Sequence, residues 1–334
     1  MQQPIDGGSR CYDIHGMRLR VDAGAPELFQ GVEAIAGPLR RDEALYDYVL
    51  RLRHGAVPDP GVTLAGYATW KGELPGGVPA VSHRADAEWR LTIPGRTLMI
   101  LRPAQCRADV VVEPGSEAYL NLGALLPAIC EFLAAKDHHV LHAASLYTEQ
   151  NGRGQAVLLC GPSGMGKTTT ALALAGAGLR LMADDATFLH HPDAESVPAI
   201  WGLPRPCKVH TNTLALLSWL RDLPMRRLGG SEEYGVDLQS VRGADPRGTA
   251  EPRLLLILDS RNDRAHRLAP LDKLATLSRL AQWNVRAGDG RADGSGGKAF
   301  RAMAGLVAHC ETCLLSVGPD LQRLPDAILP RLRR

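Results

Sequence analysis

The chain of 334 residues has no run of about 18 or more apolar residues of the kind that spans a bilayer. Its first ten residues, MQQPIDGGSR, lack the apolar centre of a secretory signal. Neither sign of charge is in excess. The 38 Lys+Arg against 36 Asp+Glu leave +2, too little for a broad nucleic-acid or membrane footprint. Lysine is scarce, at 6 of the 38 basic residues, so the cationic groups are mostly guanidinium forks suited to phosphate or carboxylate. No repeat period stands out. The seven cysteines are scattered and odd in number. Cys310 and Cys313 form one C-x-x-C, but with only His309 adjacent they lack the second ligand pair of a zinc site. They read as small buried apolar residues. A reduced, cytoplasmic chain with no membrane and no nucleic-acid partner is expected. What is present, 45% hydrophobic and 22% charged residues, fits a folded chain with room for two domains.

Residues 1–121 alternate short apolar stretches with turn signals. The stretches are Met17–Val21, Val62–Leu64, Trp89–Ile93, Thr97–Leu101 and Ala108–Val112; the turns are Gly76-Gly77, Pro94-Gly95 and Pro114-Gly115. This predicts a β-rich N-terminal domain, with one helix near Arg41–Leu52, and no catalytic constellation in it. From residue 122 the pattern changes. Leu122–Lys136 has helical spacing, Val140–Leu146 reads as a strand, and Gln150–Gly154 as a turn. Arg180–Ala183 is a strand, and Thr187–Leu189 with Ser196–Ile200 a hairpin. Leu214–Leu220 is a short helix, and 223–235 is a glycine-flanked loop that could act as a lid. Arg253–Leu258 is a strand, Leu271–Gln282 an amphipathic helix and Leu314–Val317 a last strand. Gly288–Gly297 is the most flexible-looking segment, and the tail carries Arg331, Arg333 and Arg334.

The strongest feature lies between the apolar run Ala156–Cys160 and the helical run Thr169–Ala175. There Gly161, Pro162, Ser163, Gly164, Met165, Gly166, Lys167 and Thr168 read G-x-x-x-x-G-K-[ST]. Strand, loop and helix are the context such a motif needs. The three glycines let successive N–H groups turn inward on phosphate oxygens, and the helix N-terminus adds its partial positive charge. Lys167 can reach the β- and γ-phosphates, the Thr168 hydroxyl can serve Mg²⁺, and Thr169, next in the helix, belongs with the loop as a nucleotide-binding residue. A nucleoside triphosphate is the expected ligand. Asp184 and Asp185 follow a strand, seventeen residues past Thr168 at Asp185. Two adjacent acids can divide the labour, one holding metal and one accepting a proton from a hydroxyl. His142 shares a strand face with Val140 and Ala144, while His139 points with Leu141 and Ala143. Arg205 and Lys208, in a proline-bracketed loop, are candidates for gripping phosphate or an acidic substrate, and Arg226 and Arg227 are weaker ones.

The arrangement His142-Ala143-Ala144-Ser145, turn, AVLLCGPSGMGKTTTALALAGAGLRLMADD resembles bacterial HPr kinase/phosphorylase and its relatives, over about His142–Leu189. The resemblance implies an α/β (α+β) fold. Its P-loop core, shared with ATP-dependent phosphoenolpyruvate carboxykinase, carries a mixed sheet and occupies 122–334. It implies an ATP- and Mg²⁺-dependent kinase acting on a serine of a protein or peptide, as relatives beside lasso-peptide systems do, and a homo-oligomer. Carried over by position, Lys167 contacts phosphates, Thr168 and Asp184 serve Mg²⁺, Asp185 accepts the hydroxyl proton, and His142 sits near the transferring phosphate. The chain departs from the family where a Glu-x-Arg-Gly-x-Gly phrase is expected. Ala199 stands at the Glu position and Trp201 at the Arg position, which removes support for the reverse reaction and for HPr itself as substrate. A small-molecule kinase on the same core and a nucleotide-dependent regulatory ATPase are the alternative readings; a carboxykinase lacks its substrate motifs here.

Overall fold

A computed structural model describes residues 7–60, 65–74, 77–150, 152–193, 195–227, 232–261, 264–284 and 295–332. The expected strand at Val62–Leu64, most of the 288–297 segment, Gly76, Asn151, Arg333 and Arg334 lie outside them. The fold is mixed α/β, with several mixed sheets. The chain divides into two compact units between Lys136 and Asp137.

In the first unit, strands β1 (Ser9–Ile14), β2 (Met17–Ala23), β3 (Arg40–Arg41), β4 (Tyr48–His54), β5 (Ala68–Leu74), β6 (Val78–Ala85), β7 (Glu88–Ile93), β8 (Thr97–Arg102) and β9 (Arg107–Val112) form one sheet in the order β3-β1-β2-β4-β9-β8-β7-β6-β5. β2, β4 and β9 run parallel and the other pairs antiparallel. The expected helix near Arg41–Leu52 is not formed: Arg41 ends β3, and Tyr48–Leu52 lie in β4. Tyr48, Leu50 and Leu52 are buried in alternation, a period of two that overrides the segment's apparent helical spacing. The helix in this region is α1 (Phe29–Ala36). The boundary expected at 121/122 also moves. A helical stretch, 117–134, ends in α2 (Leu126–Ala134), and its Leu120, Leu125, Ile129 and Phe132 are buried within this unit. Glu117–Ala134 is long and apolar enough to cross a membrane by length and composition alone, but it is no unbroken apolar run, since it holds Glu117, Asn121 and Glu131. Much of the arginine is spent on the sheet's polar face, in pairs such as Arg20–Asp22 and Arg107–Asp109, each at 2.6 Å.

The second unit carries β10 (His138–Gln150), β11 (Arg153–Cys160), α3 (Lys167–Gly176), β12 (Arg180–Ala183), β13 (Ala186–His190), β14 (Ala199–Gly202), β15 (Cys207–His210) and α4 (Thr211–Leu216). β16 (Met225–Arg227), β17 (Glu233–Val236), β18 (Thr249–Arg261), β19 (Arg267–Pro270), α5 (Lys273–Asn284), α6 (Ser295–His309), β20 (Glu311–Val317) and α7 (Leu324–Leu332) follow. β11 runs parallel to β18, and β18 to β20. Their faces pack on opposite clusters. Leu254, Leu256 and Leu258 join α3 and α7; Leu255 and Ile257 join α5 and α6. Burial on both faces explains why these strands read as unbroken apolar runs.

β10 is a forked strand. Residues 138–142 pair with β13, and 143–150 pair with β11. Ala143 is opposite Cys160, the last residue before the glycine loop. β12 pairs near Ser145 and β13 begins opposite His142, so the Asp184-Asp185 link between them crosses the fork. The expected 223–235 lid loop is, in its described parts, the strands β16 and β17 of a small sheet ordered β15-β17-β16. Arg226 and Arg227 lie exposed on β16.

Trp201 explains the departure at the family's Arg position. It is 1% exposed, stacks on Phe188 at 4.4 Å and donates its indole N–H to His138 Nδ1 at 3.0 Å. Phe188 and Trp201 are cross-strand partners on β13 and β14. This position is a core anchor, so a charge placed there would be buried unpaired. Trp201→Ala should cost about 3–5 kcal/mol of stability, read from urea unfolding; a loss below about 1 kcal/mol would show that the stack does not anchor the fork.

Candidate active site

The loop begins where β11 ends. A Cβ at Gly161 would sit 3.3 Å from Leu258 Cβ and carbonyl, tighter than an ordinary contact, so glycine suits the close passage past β18. Gly164 and Gly166 have φ of 82° and 91°, the left-handed region that glycine enters without strain. Gly166 caps α3, and Lys167 is its first residue. Pro162, Ser163 and Gly164 are exposed, while Met165 packs against the core beneath.

Lys167 is 8% exposed. Its Nζ donates to the Gly161 carbonyl at 2.8 Å, to the Pro162 carbonyl at 3.2 Å and to His142 Nε2 at 3.1 Å. An ammonium has no lone pair, so His142 Nε2 must accept and the ring proton sits on Nδ1. That Nδ1–H donates to Asp185 Oδ1 at 2.6 Å. Lys167, His142 and Asp185 therefore form one hydrogen-bonded chain. Asn284 Oδ1 accepts the His142 backbone N–H at 2.7 Å and fixes the strand beneath the ring. Burial lowers the pKa of Lys167, against the pull of the Asp185 and Asp184 charges. Burial raises that of Asp185, but the hydrogen bond and charge of His142, with Arg205 and Lys167, outweigh it, and the net shift is downward. Asp185 and His142 side chains are 47% and 39% exposed, so this end of the chain opens to solvent.

Asp184 points the other way. It is 8% exposed and accepts the Thr168 hydroxyl on Oδ2 at 3.1 Å. Its Oδ1 is buried and meets no partner in hydrogen-bond geometry among the described residues, although the Lys208 backbone N–H also acts on this carboxylate. Desolvation raises its pKa to about 6, with the neighbouring Asp185 charge adding and the Thr168 hydroxyl opposing. An orphaned carboxylate oxygen beside a hydroxyl at the foot of a phosphate-type loop is an oxygen donor set that fits Mg²⁺. Thr169 is committed elsewhere: its Oγ1 lies 2.7 Å from Thr213 Oγ1.

The structure thus brings Lys167, Thr168, Asp184, Asp185 and His142 together. Arg205 is adjacent, with Nη1 3.9 Å from Asp185 Oδ2. The Lys208 side chain is exposed on β15. Asn284 and Thr213 were missed, because a helix-end Asn and a lone Thr carry no local signal of what they will face. Cys310 and Cys313 are buried free thiols, and burial pushes the Cys310 thiol up to about 12, the wrong direction for a reactive thiolate. No group of three or more ligating side chains suited to a metal occurs among the described residues.

No protein-family model matches the chain, and no curated protein matches it. Among solved structures, an HPr(Ser) kinase/phosphatase from Coxiella burnetii matches over 58% of this chain and 96% of its own length. The identity is 14% and the TM-score 0.28. This is a distant structural relationship and carries no argument about the site.

The Asp184 environment predicts a pH dependence. A carboxyl whose folded pKa lies above its unfolded value contributes most below the unfolded value, and stability falls as pH rises from about 4 to about 6. Melting curves should show wild type losing stability across that window relative to Asp184→Asn. Above it, Mg²⁺ should raise the wild-type melting temperature and leave Asp184→Asn unmoved. Equal pH and Mg²⁺ responses in the two proteins would contradict this reading of Asp184.

Proposed function

We propose that this chain is a kinase that moves the γ-phosphoryl group of ATP to a hydroxyl, a serine of a protein or peptide, with Asp185 as proton acceptor. The observation that carries the reading is the hydrogen-bonded chain from Lys167 through His142 to Asp185. It links a phosphate-type loop to a solvent-facing carboxylate. Mg²⁺, held by Thr168 and Asp184, would neutralise charge on the substrate phosphates. ATP is the triphosphate that the sequence resemblance implies.

The residues have separable tasks. The Gly161–Thr168 backbone and Lys167 hold the phosphates. The Lys167 ammonium, now turned onto its own loop's carbonyls, has donors to give to a better acceptor. His142 keeps one Asp185 oxygen fixed and leaves the other toward solvent. A lowered pKa makes Asp185 a weak base, and a loose phosphoryl-transfer transition state asks for no strong one. The hydroxyl proton leaves late, so positioning supplies most of the rate. The acceptor oxygen forms its bond to phosphorus as the bond to the β-phosphate oxygen of ADP breaks with its electron pair, and the hydroxyl proton passes to Asp185. The exposure of Asp185 and His142 supports an acceptor presented on a larger molecule over one that must be enclosed.

Incubation of the full chain with labelled ATP, Mg²⁺ and serine-containing peptides tests this. Asp185→Asn should lower transfer by about 10²–10⁴-fold while ATP still binds. Lys167→Ala should weaken ATP binding itself. Transfer unchanged in Asp185→Asn would sink the assignment.

A further inference from the structure

The proline-bracketed segment Leu203-Pro204-Arg205-Pro206 follows β14 and ends beside the candidate base, and the roles given to the other residues leave it unused. Arg205 stands between two prolines. The following proline confines Arg205 to extended backbone, and the preceding one has its own φ fixed. The Arg205 N–H is also tied to the Leu203 carbonyl at 2.7 Å. The main chain therefore fixes where the Arg205 side chain starts, and its guanidinium lies beside Asp185.

At that place the guanidinium is underused. Its side chain is 32% exposed, so about two thirds of it is withdrawn from water. Its one acidic neighbour among the described residues is Asp185, at 3.9 Å, which is beyond direct hydrogen-bonding range. Asp185 already spends its other oxygen on His142 at 2.6 Å. A guanidinium has five N–H donors in a planar fork that fits phosphate oxygens in pairs. Lys167 is linked through His142 to Oδ1 of Asp185, and Arg205 lies nearest its Oδ2. Lys208, three residues on, turns its side chain to solvent from β15, so the two basic residues of this segment do not share the task.

We infer that Arg205 grips the phosphoryl group in transit, from the acceptor side. The inference rests on the kinase reading above. Phosphorus leaves the β-phosphate oxygen, which keeps the bonding pair, and joins the acceptor oxygen, whose proton goes to Asp185; Arg205 gives and takes no proton. Its N–H groups meet the equatorial oxygens, whose charge is spread during transfer, so its contribution appears in the transition state and not in ground-state binding. It also holds a positive charge beside Asp185, so that an anionic group can approach a carboxylate.

The test compares binding of ADP with binding of ADP plus aluminium fluoride, a mimic of the phosphoryl group in flight, both with Mg²⁺, to the full chain. No acceptor need be known. Wild type should bind the fluoride complex about 100-fold tighter than ADP alone. Arg205→Gln should keep wild-type ADP affinity and lose most of that gain, as the removal of one such donor group costs about 10²–10³-fold in rate. Arg205→Lys should fail to restore it, because a point charge cannot replace the fork. The guanidinium makes no hydrogen bond to any described residue, so both variants should melt close to wild type. A full fluoride gain in Arg205→Gln, or no gain in wild type that binds ADP, overturns the inference and leaves the kinase reading standing. A wild-type chain that binds no ADP overturns both.

Discussion

Every part of the site depends on one backbone event, the change of partner along β10 between His142 and Ala143. Up to His142 the strand pairs with β13; from Ala143 it pairs with β11, and β12 pairs with it from Ser145. The glycine loop leaves β11 after Cys160, opposite Ala143, and the Asp184-Asp185 link joins β12 to β13 between the residues paired with Ser145 and His142. His142 is the residue at the branch, and its two ring nitrogens join the loop to that link. Long-range hydrogen bonds do the anchoring: Asn284 to the His142 backbone, and the Thr187 hydroxyl to Ser145 Oγ at 2.9 Å and to the Ala143 carbonyl at 2.8 Å. Phe188 and Trp201 brace the β13 arm from within the core. A residue type that elsewhere would be a satisfied strand histidine becomes a connector here because of where the pairing changes.

The charges at the fork are arranged against stability. Among the described residues one Asp184 oxygen is buried and unbonded, and Lys167 spends its three donors on two loop carbonyls and the His142 ring. Such arrangements persist where a ligand completes them, since local rules break at sites that serve something other than folding. The same reasoning separates the two acids. They are adjacent in the chain, yet alternation sends one into the interior beside Thr168 and the other toward solvent beside His142. Burial raises the pKa of the first, and a hydrogen bond with nearby positive charge lowers that of the second. Two environments thus give one dipeptide two chemistries.

Much of this was legible in the sequence, and the parts that were not share a physical cause. The loop, its flanking strand and helix, and the acids after β12 are all set by contacts close in sequence, and the alternation of His142 with Val140 and Ala144 follows from strand geometry. The failures involve partners far apart in sequence. β4 was read as a helix because its period of two is visible only once Tyr48, Leu50 and Leu52 have a sheet to face. Leu122–Lys136 was assigned to the wrong unit because an apolar helix face does not say which sheet it covers. Asn284 reaches His142 across 142 residues, and no local pattern marks it. Trp201 appeared as a missing functional residue, and its stack on Phe188 shows it as a core residue whose position in the chain coincides with a signature.

In the proposed reaction the loop lysine and the solvent-facing aspartate, joined by His142, would act as one device. A double-mutant cycle in ATP turnover, with Lys167→Ala, Asp185→Asn and the pair together, measures that claim directly. Groups that work as a unit are strongly non-additive. The account predicts that the double variant is no slower than the slower single one, within about threefold. Losses that multiply across the two changes would mean that the residues act independently, and the device read from the fork would not exist.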